Sequence, residues 1–496
     1  MRIATGVYQN RGSGGFLQFL RQEKTPFFQT EQRPDCPVCL FEREFPDWGY
    51  DYVESGGVAF VCGADKHTFA FDSGYLTRAS LEFADFSFCG QGNARVLALA
   101  GIFEGRGVGL LTTHENRASI HGRHPARYPV LLEKKLGAGA LFYTGLPLTA
   151  LLTAEGSTLR RTSDLSDFDE RIASVDKDKL EAALRWILRR CFRAAGAPYV
   201  HLWYYPDGAR NVFAYRLDGD GMAEPGTQNL MRAAKEARCP FTLYVSGEFC
   251  AGNREEERKI AEFGQYNEIG CHNFVHDAMD SLQENLDSLG RFERWMEEIG
   301  VPFQRVFASP RGMYGVNMAR ALTAKGYRHS SDFSLKAGGF PFYPVLDGEP
   351  FGPLQIPVDA FNVCRLWVQC GELGREKAGA EEILSRYQAL ADQKLSQGTP
   401  LLFFCHPQYF GAVAPQVYPR LVEYVRARGA RTTTLTRYGD FWAERDGVRF
   451  EAALEKGCLR VTGNFPESVR LRVEGCTGSV LINGTADAAR LYAETP

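Results

Sequence analysis

Residues 268–276 read EIGCHNFVH, and this stretch decides how the rest of the chain is interpreted. Its first residues form a short apolar segment with a glycine, which is typical of a buried strand. His272 and His276 follow four residues apart, so that on one helical turn both imidazoles would point the same way. Two histidines and one carboxylate fill three positions around a divalent ion and leave another for water. The stretch therefore predicts a strand end that carries two metal ligands.

Strand-like and helix-like segments alternate on both sides of this stretch. Strands are predicted at 212–216, 241–245, 268–270, 306–308, 327–331, 355–358, 401–405 and 431–435. Helices are predicted at 227–238, 253–263, 279–299, 316–325, 376–396 and 416–428. Seven or eight strands separated by helices indicate an α/β fold with a distorted, closed or partly closed (β/α) barrel.

The segments before and after the barrel have different patterns of apolar and polar residues. Short apolar runs bounded by Gly and Pro lie at 57–62, 95–100, 107–112 and 138–144, and they are typical of an open, flavodoxin-like α/β sheet. An amphipathic helix is predicted at 176–195. After residue 446, alternating apolar and polar residues predict a small antiparallel β module. We therefore predict three domains, at 1–198, 199–445 and 446–496.

Two carboxylates and a later histidine lie at the predicted ends of barrel strands. Asp218 and Asp220 end the first strand, and either could bind the metal while the other acts as a general base. The alternative is an ordinary turn, because Asp-Gly pairs are common in turns. His406 follows the apolar strand 401–405 and could donate a proton, or it could be a hydrogen-bonded core histidine.

Composition and charge exclude some classes of protein. The 496 residues include 57 Lys and Arg against 60 Asp and Glu, so neither nucleic acid nor an anionic membrane is expected as a partner. The first twenty residues lack a continuous apolar core, and no apolar stretch is long enough to span a bilayer. Thirteen cysteines, an odd number, favour a reducing compartment. A cytoplasmic location is expected, with export by another route left open, as is homo-oligomerisation.

The order of these elements over residues 212–443 resembles the polysaccharide deacetylase family, whose NodB homology fold is shared with carbohydrate esterase family 4. The lead-in Glu268-Ile269-Gly270 to the two histidines carries the strongest resemblance. The resemblance implies a divalent metal, zinc with cobalt or nickel as alternatives. By order it implies that Asp220, His272 and His276 bind the metal, that Asp218 is the base and that His406 is the acid.

The chain departs from the family pattern at several positions. Gly219 separates two aspartates that are adjacent in the family, so the base and ligand assignments could be exchanged. Ala308 stands where the family has an arginine. Arg311 or Arg216 could supply that positive charge, and Asp332 could orient it or could simply cap a turn.

These residues lead to a hypothesis about the substrate. Pro310 resembles the proline of the family's groove motif, and Tyr409, Trp367 and Phe410 could line a sugar-binding groove or belong to the core. We predict hydrolysis of an N-acetyl group on a carbohydrate. A metal-dependent amide hydrolase for a small non-sugar substrate stays open, as does a non-catalytic carbohydrate-binding or assembly protein. The Ala308 departure favours the last of these, whereas the retained histidines, the acidic pair and His406 argue against it.

The N-terminal part resembles, more faintly, the class I glutamine amidotransferase fold, on the patterns at 56–61 and 139–148. Those enzymes need a cysteine nucleophile on a strained turn, and the G-x-C-x-G pattern is missing here. Cys62 is the nearest candidate, and a small buried thiol is the favoured interpretation. The domain is therefore expected to be catalytically silent.

The sequence CPVC at 36–39 has half of a zinc-ribbon spacing. Cys62, His67 or Cys89 could complete such a site. Free thiols are the favoured interpretation, because a second CxxC is missing.

Overall fold

A computed structural model describes residues 1–9, 14–64, 75–87, 93–103, 110–114, 126–154, 156–160, 170–222, 226–346, 349–475 and 479–482. The chain divides into two compact units. The first unit comprises 1–154, 174–208 and 444–496, and the second comprises 155–173 and 209–443. The predicted domain boundaries after residues 198 and 445 stay predictions.

The first unit is built on a six-stranded sheet. Its N-terminal strands are β1 Thr5–Tyr8, β2 Phe27–Thr30, β3 Val38–Glu42, β4 Val58–Cys62, β5 Tyr75–Ser87, β6 Asn93–Phe103, β7 Leu110–His114, β8 Ala126–Tyr128, β9 Leu132–Leu136 and β10 Gly139–Thr144. The helices of this part are α1 Gly14–Glu23, α2 Asp47–Glu54 and α3 Leu148–Thr153. The main sheet has the order β2-β1-β3-β4-β10-β9, and all its pairs are parallel except that of β9 with β10. The amidotransferase-like assignment of this part stays a prediction.

Two predicted strands of this region lie in a different sheet from the one expected. Residues 95–100 belong to β6, which is part of an antiparallel sheet with the order β6-β5-β7-β8. An apolar run does not by itself reveal the direction of its partner, which explains the difference. Of the predicted run 107–112, residues 110–112 belong to β7 of the same antiparallel sheet, and residues 107–109 lie outside the described residues.

A short hairpin belongs to the second unit although it precedes other parts of the first unit in sequence. It consists of β11 Ser157–Arg160 and β12 Glu170–Ala173, which pair antiparallel. The chain then continues in the first unit through helix α4 Lys177–Ala194 and strand β13 Tyr199–Leu202. The predicted N-terminal domain, 1–198, includes both strands of this hairpin.

The second unit contains the predicted barrel. Its further strands are β14 Asn211–Gly219, β15 Thr242–Val245, β16 Glu268–Cys271, β17 Val306–Phe307, β18 His329–Ser330, β19 Val345–Leu346, β20 Glu349–Pro350, β21 Leu354–Gln355, β22 Leu401–Cys405 and β23 Ala430–Thr432. Its helices are α5 Gly226–Ala237, α6 Gly247–Cys250, α7 Arg254–Gly264, α8 Leu282–Glu298, α9 Val316–Ala324, α10 Val363–Glu372, α11 Ala380–Gln397, α12 Pro407–Phe410, α13 Ala414–Ala427 and α14 Leu435–Gly447, the last of which ends in the first unit. Helices α6, α10, α12 and α14 were not predicted.

The sheet of this unit is curled and parallel throughout. Its order is β21-β18-β17-β16-β15-β14-β22, and β23 pairs with the start of β14. Strands β21 and β22 are not paired, but the Asp359 N–H donates a hydrogen bond to Leu402 O at 2.7 Å beside this gap. Parallel strands bring their carboxyl ends to one rim, where β/α barrels hold their active sites. The expected barrel is therefore confirmed in its coarse form, as a half-barrel with an incomplete seam.

The C-terminal alternating segments form β24 Phe450–Glu455, β25 Cys458–Gly463, β26 Leu471–Glu474 and β27 Ser479–Ile482. They pair antiparallel, β24 with β25 and β26 with β27. Strand β26 also pairs with β13, so these residues belong to the first unit. Local alternation predicted the strands but could not reveal a partner so distant in sequence.

Within the described ranges, no helix is both long and apolar enough to cross a membrane. Cys36 and Cys39 are buried free thiols. The one set of three converging ligand side chains among the described residues lies in the second unit, while His67 and Cys89 lie outside those residues.

Candidate metal centre and active site

Asp220, His272 and His276 converge at the carboxyl ends of β14 and β16. The Nε2 atoms of His272 and His276 lie 3.4 and 3.1 Å from Asp220 Oδ1. All three side chains are buried, with at most 5% of each exposed. Their ligand atoms lie within 4.8 Å of one another, which is the spacing of a cluster that could hold one metal ion.

The hydrogen bonds around this cluster fit a cation. His272 Nδ1 lies 2.8 Å from Ala308 O, and since a carbonyl only accepts, Nδ1 carries the hydrogen and Nε2 presents its lone pair to Asp220. Asp220 Oδ1 is buried without a hydrogen-bond partner among the described residues. A carboxylate facing imidazole lone pairs suits a divalent metal.

The two histidines converge through a loop and not through a helical turn. Residues 272–276 follow β16 without helical structure, so the predicted helical turn is wrong. Asn273 adopts a left-handed conformation with φ of 65°, which asparagine tolerates better than most residues. Its side chain donates to Asp277 O at 2.8 Å and accepts from Ser288 Oγ at 2.7 Å. These bonds hold the loop so that His272 and His276 face Asp220.

Asp218 occupies a different environment from that of Asp220. Arg216 binds it with two hydrogen bonds, from Nε to Oδ1 at 2.5 Å and from Nη2 to Oδ2 at 2.6 Å. Arg216 is fully buried and the Asp218 side chain is 4% exposed. Alternate residues of a strand point to the same face, which explains why Arg216, Asp218 and Asp220 meet at one rim. The two carboxylates are therefore distinguished by their partners, an arginine for Asp218 and two histidines for Asp220.

Three aromatic rings and a carbonyl surround the Arg216 guanidinium. Its central carbon lies 5.5 Å from the Tyr244 ring centre, 5.8 Å from that of Phe333 and 5.4 Å from that of Phe404. Nη1 also donates to Ser331 O. Rings at these distances attract a guanidinium through their quadrupoles. The surroundings thus fix the orientation of Arg216 and, through it, that of Asp218.

Arg311 and Asp332, the other predicted charged residues, do not contact the two carboxylates. Arg311 lies in the turn Pro310–Gly312 with φ of 54°, and among the described residues its buried Nε has no hydrogen-bond partner. Asp332 accepts hydrogen bonds from the Ser309 N–H, at 2.8 Å, and from the Ser330 hydroxyl. Burial raises the pKa of Asp332 above its usual value. Of the two arginines considered for the place of Ala308, it is Arg216 that binds Asp218.

His406 lies on the other side of Asp220, directly after β22. Its Nε2 is 3.5 Å from Asp220 Oδ2, and its Nδ1 is 3.3 Å from Cys364 Sγ. Burial works to lower the pKa of His406, but the negative charges of Asp220, Asp218 and Glu170 raise it above its usual value. The imidazolium form therefore persists to higher pH than in an ordinary histidine, which suits a proton donor.

The residues predicted to bind substrate lie in three different settings. Pro310 is buried, as is Phe410, which belongs to the hydrophobic core. Tyr409 is half-buried, with its ring centre 6.2 Å from that of His406. Trp367 lies next to Tyr409, at 6.1 Å between ring centres, and donates from Nε1 to Ala378 O at 3.0 Å. Of these residues, Tyr409 is the one beside the candidate site.

Sequence reasoning missed three neighbours of the site. Glu170 is 4% exposed and comes from the hairpin that precedes the barrel in sequence. Cys364 lies at the start of the unpredicted helix α10. Glu248 Oε2 accepts the His276 N–H at 2.6 Å. None of these residues belongs to a recognisable motif, and only their position in the folded unit reveals them.

Comparison with known proteins supports the resemblance for part of the chain. Residues 218–330 match the model of the family described as polysaccharide deacetylase. The predicted resemblance is thereby confirmed over this segment, which contains Asp218, Asp220, His272 and His276. The match does not include His406 or the N-terminal part of the chain. No curated protein sequence matches the chain.

Several solved structures are similar at low identity. The family 4 carbohydrate esterase from Streptomyces lividans in complex with acetate is 14% identical, over 45% of this chain and 93% of that one, with a TM-score of 0.31. The chitin deacetylase from the fungal pathogen Colletotrichum lindemuthianum is 14% identical, over 48% and 90%, with a TM-score of 0.34. Agd3, described as a novel carbohydrate deacetylase, is 9% identical, over 96% and 91%, with a TM-score of 0.39. Similarities at this level do not identify the substrate of this chain.

Proposed function

We propose that the second unit is a metal-dependent hydrolase that removes N-acetyl groups from a carbohydrate. The observation that carries the proposal is that two carboxylates at the carboxyl end of β14 have different partners. Asp220 lies against two histidines, while Asp218 is held by Arg216. Carboxylates in such different surroundings can serve as a metal ligand and a general base. The match of residues 218–330 to the polysaccharide deacetylase family supports the same assignment.

Asp220 Oδ1 and the Nε2 atoms of His272 and His276 would hold the metal. One carboxylate oxygen and two imidazole nitrogens suit zinc, with cobalt and nickel as alternatives. When bound, a divalent ion of this kind polarises an amide carbonyl and lowers the pKa of water. We assign the ligand role to Asp220 and not to Asp218, because Asp220 is the carboxylate that lies with His272 and His276 in the cluster of possible ligands.

Asp218 would take a proton from the attacking water. Each carboxylate oxygen has two lone pairs, so the bonds from Arg216 leave further lone pairs for that proton. The guanidinium fixes the plane of the carboxylate, which keeps the base in one orientation toward the reacting atoms. Arg216 thus acts as a positioning residue and compensates for Ala308 at the position where the family pattern has an arginine.

His406 would deliver a proton to the departing amine. It lies across Asp220 from the two histidines that would bind the metal, and although burial works to lower its pKa, the negative charges of Asp220, Asp218 and Glu170 raise that pKa above its usual value. Cys364 near Nδ1 fixes the rotation of the ring and leaves Nε2 for the substrate side. The base and the acid would then be two separate groups, one that takes a proton from water and one that gives a proton to the amine.

Two alternative functions are a non-catalytic carbohydrate-binding or assembly protein and a hydrolase of small non-sugar amides. The non-catalytic interpretation rested on Ala308, and the position of Arg216 removes that reason. Hydrolysis of a small non-sugar amide uses the same chemistry, and no feature of the described residues favours it.

Acetate release tests the proposal directly. The full chain loaded with Zn²⁺ is incubated with oligomers of N-acetylglucosamine, and with a panel of small amides for which ammonia or amine release is followed. We expect acetate from the sugars in a time-dependent and metal-dependent manner. If neither acetate nor any other product is released from any substrate, the proposal is wrong.

Two variants and one control locate the chemistry. Asp218→Asn and His406→Asn should each lower kcat by about 10²- to 10⁴-fold, the usual contribution of a general base or acid. Arg320→Gln changes an exposed arginine on α9 and should leave kcat unaltered. Full activity in both Asp218→Asn and His406→Asn would contradict the assigned roles.

A further inference from the structure

Ser246 directly follows β15, the strand that lies between β14 and β16. The Ser246 N–H donates a hydrogen bond to Gly219 O at 3.3 Å, and the His272 N–H donates to Val245 O at 2.9 Å. These bonds continue the two parallel ladders by one residue, which pairs Ser246 with Asp220 on one side and with His272 on the other. Ser246 therefore lies between two of the residues that would hold the metal.

The side chain of Ser246 points to the face of the sheet that carries the metal centre. The backbone of Ser246 is extended, with φ of −100° and ψ of 132°, so the alternation of the strand continues through it. Tyr244, two residues earlier, has its ring beside Arg216, and Ser246 shares that face. Asp220 Oδ1 and His272 Nε2 lie 3.4 Å apart, so their side chains meet across the serine that separates the two strands.

The hydroxyl of Ser246 has no role in the fold that its position explains. The residue is fully buried, and its Oγ has no hydrogen-bond partner among the described residues. A serine that precedes a helix usually accepts a hydrogen bond from a backbone N–H of the first turn. Ser246 occupies this position before α6, yet its side chain makes no such bond. A buried hydroxyl without a partner destabilises a fold, so neither capping nor packing accounts for this residue.

An acceptor without a partner lies at the paired position of the neighbouring strand. Asp220 Oδ1 is also buried and has no hydrogen-bond partner in the part of the chain that the structure describes. A carboxylate oxygen has two lone pairs, so it can bind a metal ion and still accept a hydrogen bond. Groups that hydrogen-bond to a metal-binding carboxylate fix its orientation, and their loss lowers metal affinity by about 10- to 100-fold.

We infer that Ser246 is a positioning residue for the metal, whose hydroxyl donates a hydrogen bond to the Asp220 carboxylate when the metal is bound. This bond holds Asp220 in the orientation in which it binds the ion. The inference rests on the metal centre of the proposed function and extends it beyond the three ligands. A hydroxyl that gains its partner together with the metal contributes to metal affinity and not to folding stability.

Zinc affinity of variants at position 246 tests the inference without the use of catalysis. Affinity is measured for the full chain by competition with a chromophoric chelator. Ser246→Ala should bind Zn²⁺ about tenfold or more weakly than the native chain, because the partner of a metal ligand is lost. Ser246→Thr keeps the hydroxyl, and Ser246→Val replaces it by a methyl group of similar size. Ser246→Thr should therefore bind zinc more tightly than Ser246→Val, which separates the hydroxyl from added volume.

Stability in the presence of a chelator distinguishes this role from a structural one. In urea unfolding of chelator-treated protein, Ser246→Ala should have a midpoint no lower than that of the native chain, since the hydroxyl that it removes has no partner. Ser334→Ala is the matched control, because Ser334 is also buried with an unpartnered Oγ among the described residues and lies outside the cluster of possible ligands. This control should leave zinc affinity unaltered. Circular dichroism checks that each variant is folded.

The outcomes separate this inference from the proposed function. If the native chain binds zinc and Ser246→Ala binds it as tightly, the inference is refuted and the metal centre stands. Equal affinities of Ser246→Thr and Ser246→Val, or a lowered urea midpoint of chelator-treated Ser246→Ala, would refute it as well. If zinc affinity depends on the hydroxyl while no N-acetylated sugar is hydrolysed, the inference holds and the deacetylase proposal is wrong. A native chain that binds no divalent ion overturns both.

Discussion

Replacing Arg216 by methionine should destabilise the second unit strongly and disable the base. The guanidinium is fully buried and makes two hydrogen bonds to Asp218, at 2.5 and 2.6 Å. Removing one partner of a buried ion pair leaves the other charge uncompensated, which costs about 3–5 kcal/mol. Methionine has a similar length and no charge, so the loss of packing is small and the electrostatic effect dominates.

The magnitude is measured by urea unfolding at pH 7, followed by tryptophan fluorescence. Arg258→Met is the control, because Arg258 and Glu262 form an exposed pair on α7, with side chains 60% and 43% exposed. Such i, i+4 pairs contribute about 0.3–0.5 kcal/mol. The double variant Arg216→Met with Asp218→Asn should regain part of the lost stability, since the buried carboxylate is then neutral. If Arg216→Met is no more destabilising than Arg258→Met, the reasoning about this pair is refuted.

Three further predictions concern separate parts of the chain. Glu23 is buried in the first unit. Burial works to raise its pKa, but Arg185 lowers that pKa to about 2 from the ordinary 4.5. This difference corresponds to about 3 kcal/mol of folding stability. That contribution is complete above pH 4.5 and is lost as the pH falls toward 2. In urea unfolding, Glu23→Gln should therefore destabilise the protein at pH 7 and have little effect near pH 2. Equal effects at both pH values would contradict this prediction. Asn273→Ala should lower zinc affinity about tenfold or more, because the loop that carries both histidines loses its left-handed turn and two side-chain hydrogen bonds. Unaltered affinity in equilibrium dialysis would contradict this prediction. Cys364→Ala should reduce kcat with little change in KM, since Cys364 positions the His406 ring, and a change confined to KM would argue against that role.

The site was more predictable from sequence than the surrounding fold. Short apolar runs predicted the barrel strands, and parallel strands bring their carboxyl ends together, so Asp218, Asp220, His272 and His406 were expected at one rim. The structure brings them there. The sequence left open which carboxylate faces the histidines. In the structure Arg216 binds Asp218, and Asp220 faces the histidines.

The errors have physical causes that local sequence does not reveal. Histidines four residues apart can lie on a helical turn or in a loop, and the left-handed Asn273 decides for the loop. The hairpin that carries Glu170 and Arg171 belongs to the second unit, where the Ala173 N–H donates a hydrogen bond to Phe333 O. Its position in the sequence alone assigns this hairpin to the N-terminal part. Strand β26 pairs with β13, far away in the chain, so no pattern near residue 471 could predict its partner.

Zinc binding to three proteins tests the central claim most directly. Stoichiometry and affinity are measured by equilibrium dialysis and elemental analysis on the native chain, Asp220→Asn and Asp218→Asn, each checked for folding by circular dichroism. We predict one tightly bound ion in the native chain and in Asp218→Asn. We predict a loss of affinity of about 100-fold or more in Asp220→Asn, since changes around metal ligands alone cost 10- to 100-fold. A native chain that binds no divalent ion, or loss of the ion in Asp218→Asn with retention in Asp220→Asn, would contradict the account.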